Sequence, residues 1–180
     1  MAINTHGGGA HTNEVGLRFE QETSLENALN MAGYLVSHDG RVSHKENTIG
    51  VIAEKHNLYR RILEPRKIKW QDHISKKMLP DDALYVNEGN TVYIIEKKYQ
   101  YNPGSVDEKL QTCDFKKKQY QKLFAPLGCQ VEYLYVCNDW FKKPEYRDVR
   151  DYIHSVGCHM FFNEIPLDFL KLPPVISEEK

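Results

Sequence analysis

Residues 80–99 read PDDALYVNEGNTVYIIEKKY, and their reading decides the fold. Ala83–Asn87 and Thr91–Tyr99 are rich in Val, Ile, Tyr and Thr, side chains that suit a pleated, half-buried surface. Glu88-Gly89-Asn90 between them is turn chemistry, so the two runs predict a β-hairpin.

Downstream, Asn102-Pro103-Gly104 breaks the chain. Ser105, with Glu108 three residues on, opens a long helix that runs to Phe124. Val106, Leu110, Cys113, Tyr120 and Phe124 give it an apolar stripe, and Pro126 and Gly128 end it. Gln130–Cys137 (QVEYLYVC) is a third strand, residues 145–156 an amphipathic helix and Cys158–Phe162 a last strand.

Upstream, residues 12–32 read as two helical segments. Thr12 or Asn13 caps the first, which carries Val15, Leu17 and Phe19; Thr23 with Glu26 caps the second, which Gly33 ends. Residues 33–38 predict a short strand closed by Asp39-Gly40. Residues 46–63 predict a helix stopped by Pro65, and residues 66–70 another short strand. The order predicts an α/β domain whose mixed β-sheet is flanked by helices. Residues 1–11, with three glycines in a row, read as a flexible arm, 12–172 as one domain and 173–180 as a tail.

The 180 residues are 41% hydrophobic and 27% charged, which excludes disordered and fibrous classes. No apolar run is long enough to span a membrane, and residues 1–11 lack the pattern of a secretory leader. Cys113, Cys129, Cys137 and Cys158 form no CxxC pair, which argues for reduced thiols in a cytoplasmic protein. The same spacing speaks against a zinc site built from Cys129, Cys137, Cys158 and His159. A lipase reading of the N-terminal HGGG fails because no GxSxG elbow follows. The net charge of −1 hides a segregation: residues 60–123 carry +5 and the segments on either side −3 each. A basic middle suggests a face for a polyanion.

Strand side chains alternate faces, so Val92, Ile94, Glu96, Lys98 and Gln100 point one way and Tyr93, Ile95, Lys97 and Tyr99 the other. Asp81 enters just before the partner strand and can approach Glu96. Two carboxylates and one ammonium then converge at a sheet edge. That set suits phosphodiester cleavage. A divalent metal held by Asp81 and Glu96 would neutralise the scissile phosphate and acidify the attacking water. Mg²⁺, which prefers hard oxygen ligands, suits the pair, with Mn²⁺ as a substitute. Lys98 would stabilise the pentacovalent phosphate or orient the water. Asp82 duplicates the acid at 81, and Lys97 replaces Lys98 if a bulge shifts the strand.

Pro80-Asp81, a 14-residue gap and Glu96-Lys97-Lys98 resemble the signature of the PD-(D/E)XK nuclease superfamily. With the stretch GSVDEKLQT (104–112), the pattern is most similar to small type II restriction endonucleases. The resemblance implies a restriction-endonuclease-like αβββαβ core, with Asp81 and Glu96 as metal ligands and Lys98 as the catalytic lysine. It implies Glu20, on the first predicted helix, as a further acid and metal ligand, and Gln111 as an accessory polar residue. On that helix Asn13, Gly16, Leu17 and Glu20 share a face. The implied activity is Mg²⁺-dependent, site-specific cleavage of double-stranded DNA to 5′-phosphate and 3′-hydroxyl ends. A cognate methyltransferase would belong to the same restriction-modification system.

Lys67, Lys69, Lys76 and Lys77 lead into the hairpin, and Lys116, Lys117 and Lys118 decorate the long helix; these are the candidate DNA-phosphate contacts. A chain of this size has little room for a separate recognition domain, so cutting both strands suggests a homodimer on a palindromic site. Two rival readings keep the residues but change the role: a structure-specific repair or junction nuclease, and a non-catalytic DNA-binding module.

Overall fold

The computed structural model describes residues 16–20 and 22–175. Its elements in chain order are β1 (Gly16–Arg18), α1 (Leu25–Met31), β2 (Leu35–Val36), β3 (Arg41–His44), β4 (Asn47–Ala53), β5 (Asp82–Val86), β6 (Thr91–Lys98), α2 (Val106–Leu110), α3 (Cys113–Phe124), β7 (Gln130–Cys137), α4 (Arg147–Ser155), β8 (His159–Phe162) and β9 (Glu164–Pro166). Among the described residues, seven strands form one sheet in the order β2-β3-β4-β5-β6-β7-β8. Neighbours are antiparallel as far as β6, and β6, β7 and β8 run parallel. The sheet is therefore mixed, as expected. The succession α1, β4, β5, β6, α3, β7 is the αβββαβ order.

The hairpin lies near the middle of this sheet, which is why β6 is apolar on both faces. Val92 and Ile94 pack with Ala83, Tyr133, Tyr135 and the helices α3 and α4. Tyr93 and Ile95 pack with Leu84, Leu134, the helix α1 and residues 165–172. Burying both faces removes the alternation that an edge strand would show. Only at Glu96 does charge enter β6, where the strand reaches the end of the sheet.

Several local expectations are corrected. Gly16–Arg18 is not helical: it pairs antiparallel with Glu164–Pro166, a strand formed 150 residues away that no local signal announces. Here Gly16 permits close approach, since a Cβ would come within 2.2 Å of Glu164 Oε1. The following helix starts one residue later than expected, with Ser24 accepting from Asn27 N at 3.1 Å, while Thr23 accepts from Glu20 N at 3.0 Å. Residues 46–63 are a strand and then a helical turn. Thr48, Ile49, Val51 and Ile52 are β-branched and take β4, and only Leu58–Leu63 coils, as a single π-helical stretch. The expected strand at 66–70 is a pair of 3₁₀ turns, Glu64–Arg66 and Trp70–Asp72.

The long helix is broken into α2 and α3 at Gln111-Thr112. The Tyr135 hydroxyl from β7 stands 3.2 Å from the carbonyls of both Lys109 and Leu110 at this break, and Thr112 Oγ1 donates to Lys109 O at 2.8 Å. The expected arm 1–11, the caps Thr12 and Asn13, and residues 176–180 of the expected tail lie outside the described residues. Within that tail, Val175 packs on the α1-side core and Pro173 O accepts from Tyr34 OH. The cysteines among these residues are free thiols. No described helix is long and apolar enough to cross a membrane.

Candidate active site

The hairpin register is regular: Asp82 faces Ile95 and Ala83 faces Ile94. One step further on, Asp81 comes opposite Glu96. With no bulge in β6, Glu96 and Lys98 share the α3 face, and Lys97 points to the α1 face. There Lys97 Nζ donates to Thr23 O at 3.0 Å and pairs with the buried Asp82 at 3.2 Å. The two Lys-Asp alternatives left open by the sequence are thereby separated: Asp82 and Lys97 tie α1 to the sheet, whereas Asp81, Glu96 and Lys98 meet on the other side.

Lys98 Nζ lies 3.0 Å from Glu96 Oε2 and 3.6 Å from Asp81 Oδ2. A single cation position is thus shared by the two carboxylates. Asp81 Oδ2 also accepts from the backbone N–H of Lys97 at 3.0 Å, which fixes its orientation. Lys55, just beyond β4, hydrogen-bonds Asp81 Oδ1 through Nζ. Lys116 of α3 approaches Glu96 Oε1 at 3.7 Å. Three ammonium groups therefore surround two carboxylates. Glu96 is nearly buried, with its side chain 10% exposed, whereas that of Asp81 is 26% exposed and opens to solvent.

Burial works against the charged form of both Asp81 and Lys55, but their contact outweighs it. The Asp81 carboxyl is held below the usual carboxylate range by the Lys55 hydrogen bond, the Lys98 charge and the Lys97 N–H. The Lys55 ammonium is held above the usual lysine value by Asp81. On the opposite face burial dominates and pushes the Asp82 carboxyl up, with Lys97 opposing it. Below Glu96, burial and then its negative charge push the phenols of Tyr120 and Tyr133 up, so both stay neutral.

The remaining predicted residues lie elsewhere. Glu20 sits in the exposed turn after β1, lining a cleft of about 640 Å³ with Tyr99, Tyr101 and Asn138. It does not complete a triad with Asp81 and Glu96: among the described residues no three His, Cys, Asp or Glu side chains gather closely enough to hold a metal ion. Gln111 is exposed at the break between α2 and α3 and lines a different cavity with Asp148, Val149 and Tyr152 of α4. Of the α3 lysines, only Lys116 reaches the site. Lys117 is tied to Gly157 O and Glu132, and Lys118 pairs with Asp114 one turn away. Lys67, Lys69 and Lys76 are exposed, and Lys77 lies over the rings of Tyr59 and Trp70.

Lys55 is the site residue that sequence reasoning misses. Its signal is there to be found: NTIGVIA read as a strand pairing with β5 carries the next residues, Glu54-Lys55, to the start of the hairpin.

No family model matches the chain, and no curated protein matches it. The crystal structure of the MunI restriction endonuclease in complex with cognate DNA is similar over 70% of this chain and 79% of that one, with 15% sequence identity and a TM-score of 0.40.

Proposed function

We propose that this protein is a divalent-cation-dependent nuclease that hydrolyses phosphodiester bonds in double-stranded DNA. The observation that carries the reading is one cation position, filled by Lys98 Nζ, at 3.0 and 3.6 Å from two carboxylates on one sheet face. Such a pair fits Mg²⁺, which is commonly held by one or two carboxylates and completes its shell with water and phosphate oxygens. Mn²⁺ makes the same demands on the donors. Asp81 and Glu96 would hold the cation. Once bound, it would offset the charge of the scissile phosphate and acidify the attacking water.

The chain's own groups do the rest. The backbone N–H of Lys97 keeps Asp81 turned toward Glu96. Lys98, yielding its place between the acids to the cation, would keep its positive charge beside them, where negative charge builds on the phosphate oxygens. The tyrosine layer of Tyr120, Tyr133 and Tyr135 backs the site with neutral, apolar surface and excludes water from behind. The exposed Lys67, Lys69 and Lys76 lie in the segment that leads into Asp81, placed to meet backbone phosphates. Site-specific, restriction-type cutting by a homodimer, leaving 5′-phosphate and 3′-hydroxyl ends, is the fullest form of this reading. A cognate methyltransferase would accompany it.

Incubating the purified protein with plasmid DNA, with Mg²⁺ or with a chelator, and sequencing the ends tests it. Cleavage is expected only with Mg²⁺ or Mn²⁺. Asp81→Ala and Glu96→Ala should each abolish Mg²⁺-dependent cleavage, because each removes one of the two carboxylates that would hold the cation. A near-native rate in either variant overturns the assignment. A randomised duplex library then separates a sequence-specific enzyme from one that reads DNA shape.

A further inference from the structure

Lys55 is the one basic group at the site supplied by the turn after β4. That turn is stitched to the segment preceding Asp81, because Lys55 N donates to Pro80 O at 3.0 Å. Backbone and side chain of one residue thus grip two successive residues, Pro80 and Asp81. The two oxygens of Asp81 are held differently. Oδ2 has the Lys97 N–H at 3.0 Å and Lys98 at 3.6 Å, and so stays oriented whatever Lys55 does. Oδ1 has the Lys55 ammonium, whose side chain is 53% exposed. A half-exposed lysine on a flexible stem can leave and be rehydrated without moving the fold, and exposed ion pairs of this kind contribute little net stability.

We infer that Lys55 is a displaceable counter-ion, competing through its charge with a divalent cation for the Asp81 carboxylate and freed by it to take a DNA phosphate. The inference rests on the nuclease reading of the same carboxylates. Without a cation, Lys55 adds its charge on Asp81 to that of Lys98, which lies between the two carboxylates. A cation in the position that Lys98 fills between the acids neutralises Asp81, and the hold of the carboxylate on the half-exposed Lys55 weakens. Its ammonium then swings outward while its backbone stays anchored at Pro80, which leaves the charge beside the position a phosphate over Asp81 would occupy. Cation binding would in this way switch on a phosphate contact, and the occupancy of the site would couple to affinity for DNA.

Calorimetric titration of the full chain with Mn²⁺ alone, in the absence of DNA, tests the competition. Lys55→Met should tighten Mn²⁺ binding by about 10-fold, because a competing unit charge at contact distance is removed, discounted for its exposure. Lys55→Arg, which keeps the cation, should stay within about 2-fold of the parent on the same reasoning. Unchanged or weaker binding by Lys55→Met overturns the inference. Asp81→Asn and Glu96→Gln serve as the control on the underlying reading. If both retain parental Mn²⁺ affinity, the metal centre itself is wrong. If they lose it while Lys55→Met gains nothing, only the competition fails. A second readout needs no folded variant. Acylation of Lys55 in the parent chain, quantified by mass spectrometry, should rise several-fold when Mn²⁺ is added, and an unchanged extent also overturns the inference.

Discussion

At the scale of residues, adjacent lysines have opposite jobs because a strand alternates its faces. Lys97→Ala strips the ion-pair partner from Asp82, which is 5% exposed, and also the donor to Thr23 O. Leaving a buried carboxylate unpaired costs about 3 kcal/mol, so this variant should unfold at clearly lower urea concentration. Lys98→Ala should keep the fold and lose about 10²–10³-fold in cleavage rate, the usual cost of one preorganised charge. The reverse pattern would mean that the strand register in solution differs from the one described.

The two aspartates should also respond to pH with opposite sign. Asp81 is held below its ordinary value, so its contribution to stability is complete above that value and is lost as pH falls through the lower folded one. Asp82 is pushed up by burial, so its contribution is complete at low pH and is lost as pH rises through the raised value. In urea denaturation series, the stability of the parent relative to Asp81→Asn should decline on acidification below about 4. Relative to Asp82→Asn it should decline as pH is raised above about 4. Parallel profiles for parent and variants would contradict both assignments.

At the scale of elements, the site depends on how the segment between β4 and β5 is pinned. Tyr59, in the π-helical stretch, donates through its hydroxyl to Met78 O at 2.9 Å and accepts from Met78 N at 2.8 Å. That double bond holds the chain three residues before Asp81. Tyr59→Phe leaves both Met78 groups unpaired in a half-buried place and should cost about 1–3 kcal/mol by chemical denaturation. Gly50 tests the β4–β5 contact in another way. A Cβ there would stand 2.4 Å from Tyr85 O, so Gly50→Ala must push the strands apart. Overpacking of this kind costs about 1–3 kcal/mol, read as a lower melting temperature. β4 itself was the element hardest to read. Ile49 and Ile52 fall three apart, a helical spacing, and only their β-branched neighbours speak for a strand. The break between α2 and α3 is set partly from afar, by a hydroxyl from β7 that joins the local bond from Thr112 Oγ1 to Lys109 O.

At the scale of the whole molecule, lysines that look alike in the sequence differ by what the fold sets beside them. Lys69 and Lys76 are exposed in the segment that leads into Asp81, whereas Lys117 is spent on Gly157 O and Glu132. If DNA lies along the 64–80 segment, Lys69→Ala and Lys76→Ala should each reduce the slope of log affinity against log salt by about 1. Lys117→Ala should leave that slope unchanged and lower stability instead. Fluorescence anisotropy over a salt series would decide it, and equal slopes for all three variants would remove this segment from the interface.

The hairpin, the strand at 130–137, the helix at 145–156, the strand at 158–162, and the convergence of residues 81, 96 and 98 were already determined by the sequence. Each follows from a rule that acts over a few residues: β-branched and aromatic runs between turn residues, and a two-residue alternation of faces. The tertiary structure alone decided that 16–18 is a strand, that Glu20 leaves the carboxylate pair, that Lys97 serves α1, and that Lys55 reaches Asp81. Those outcomes depend on partners far along the chain. A contact between distant segments is set by how the sheet stacks and which charge must be neutralised there, and neither is encoded in local spacing.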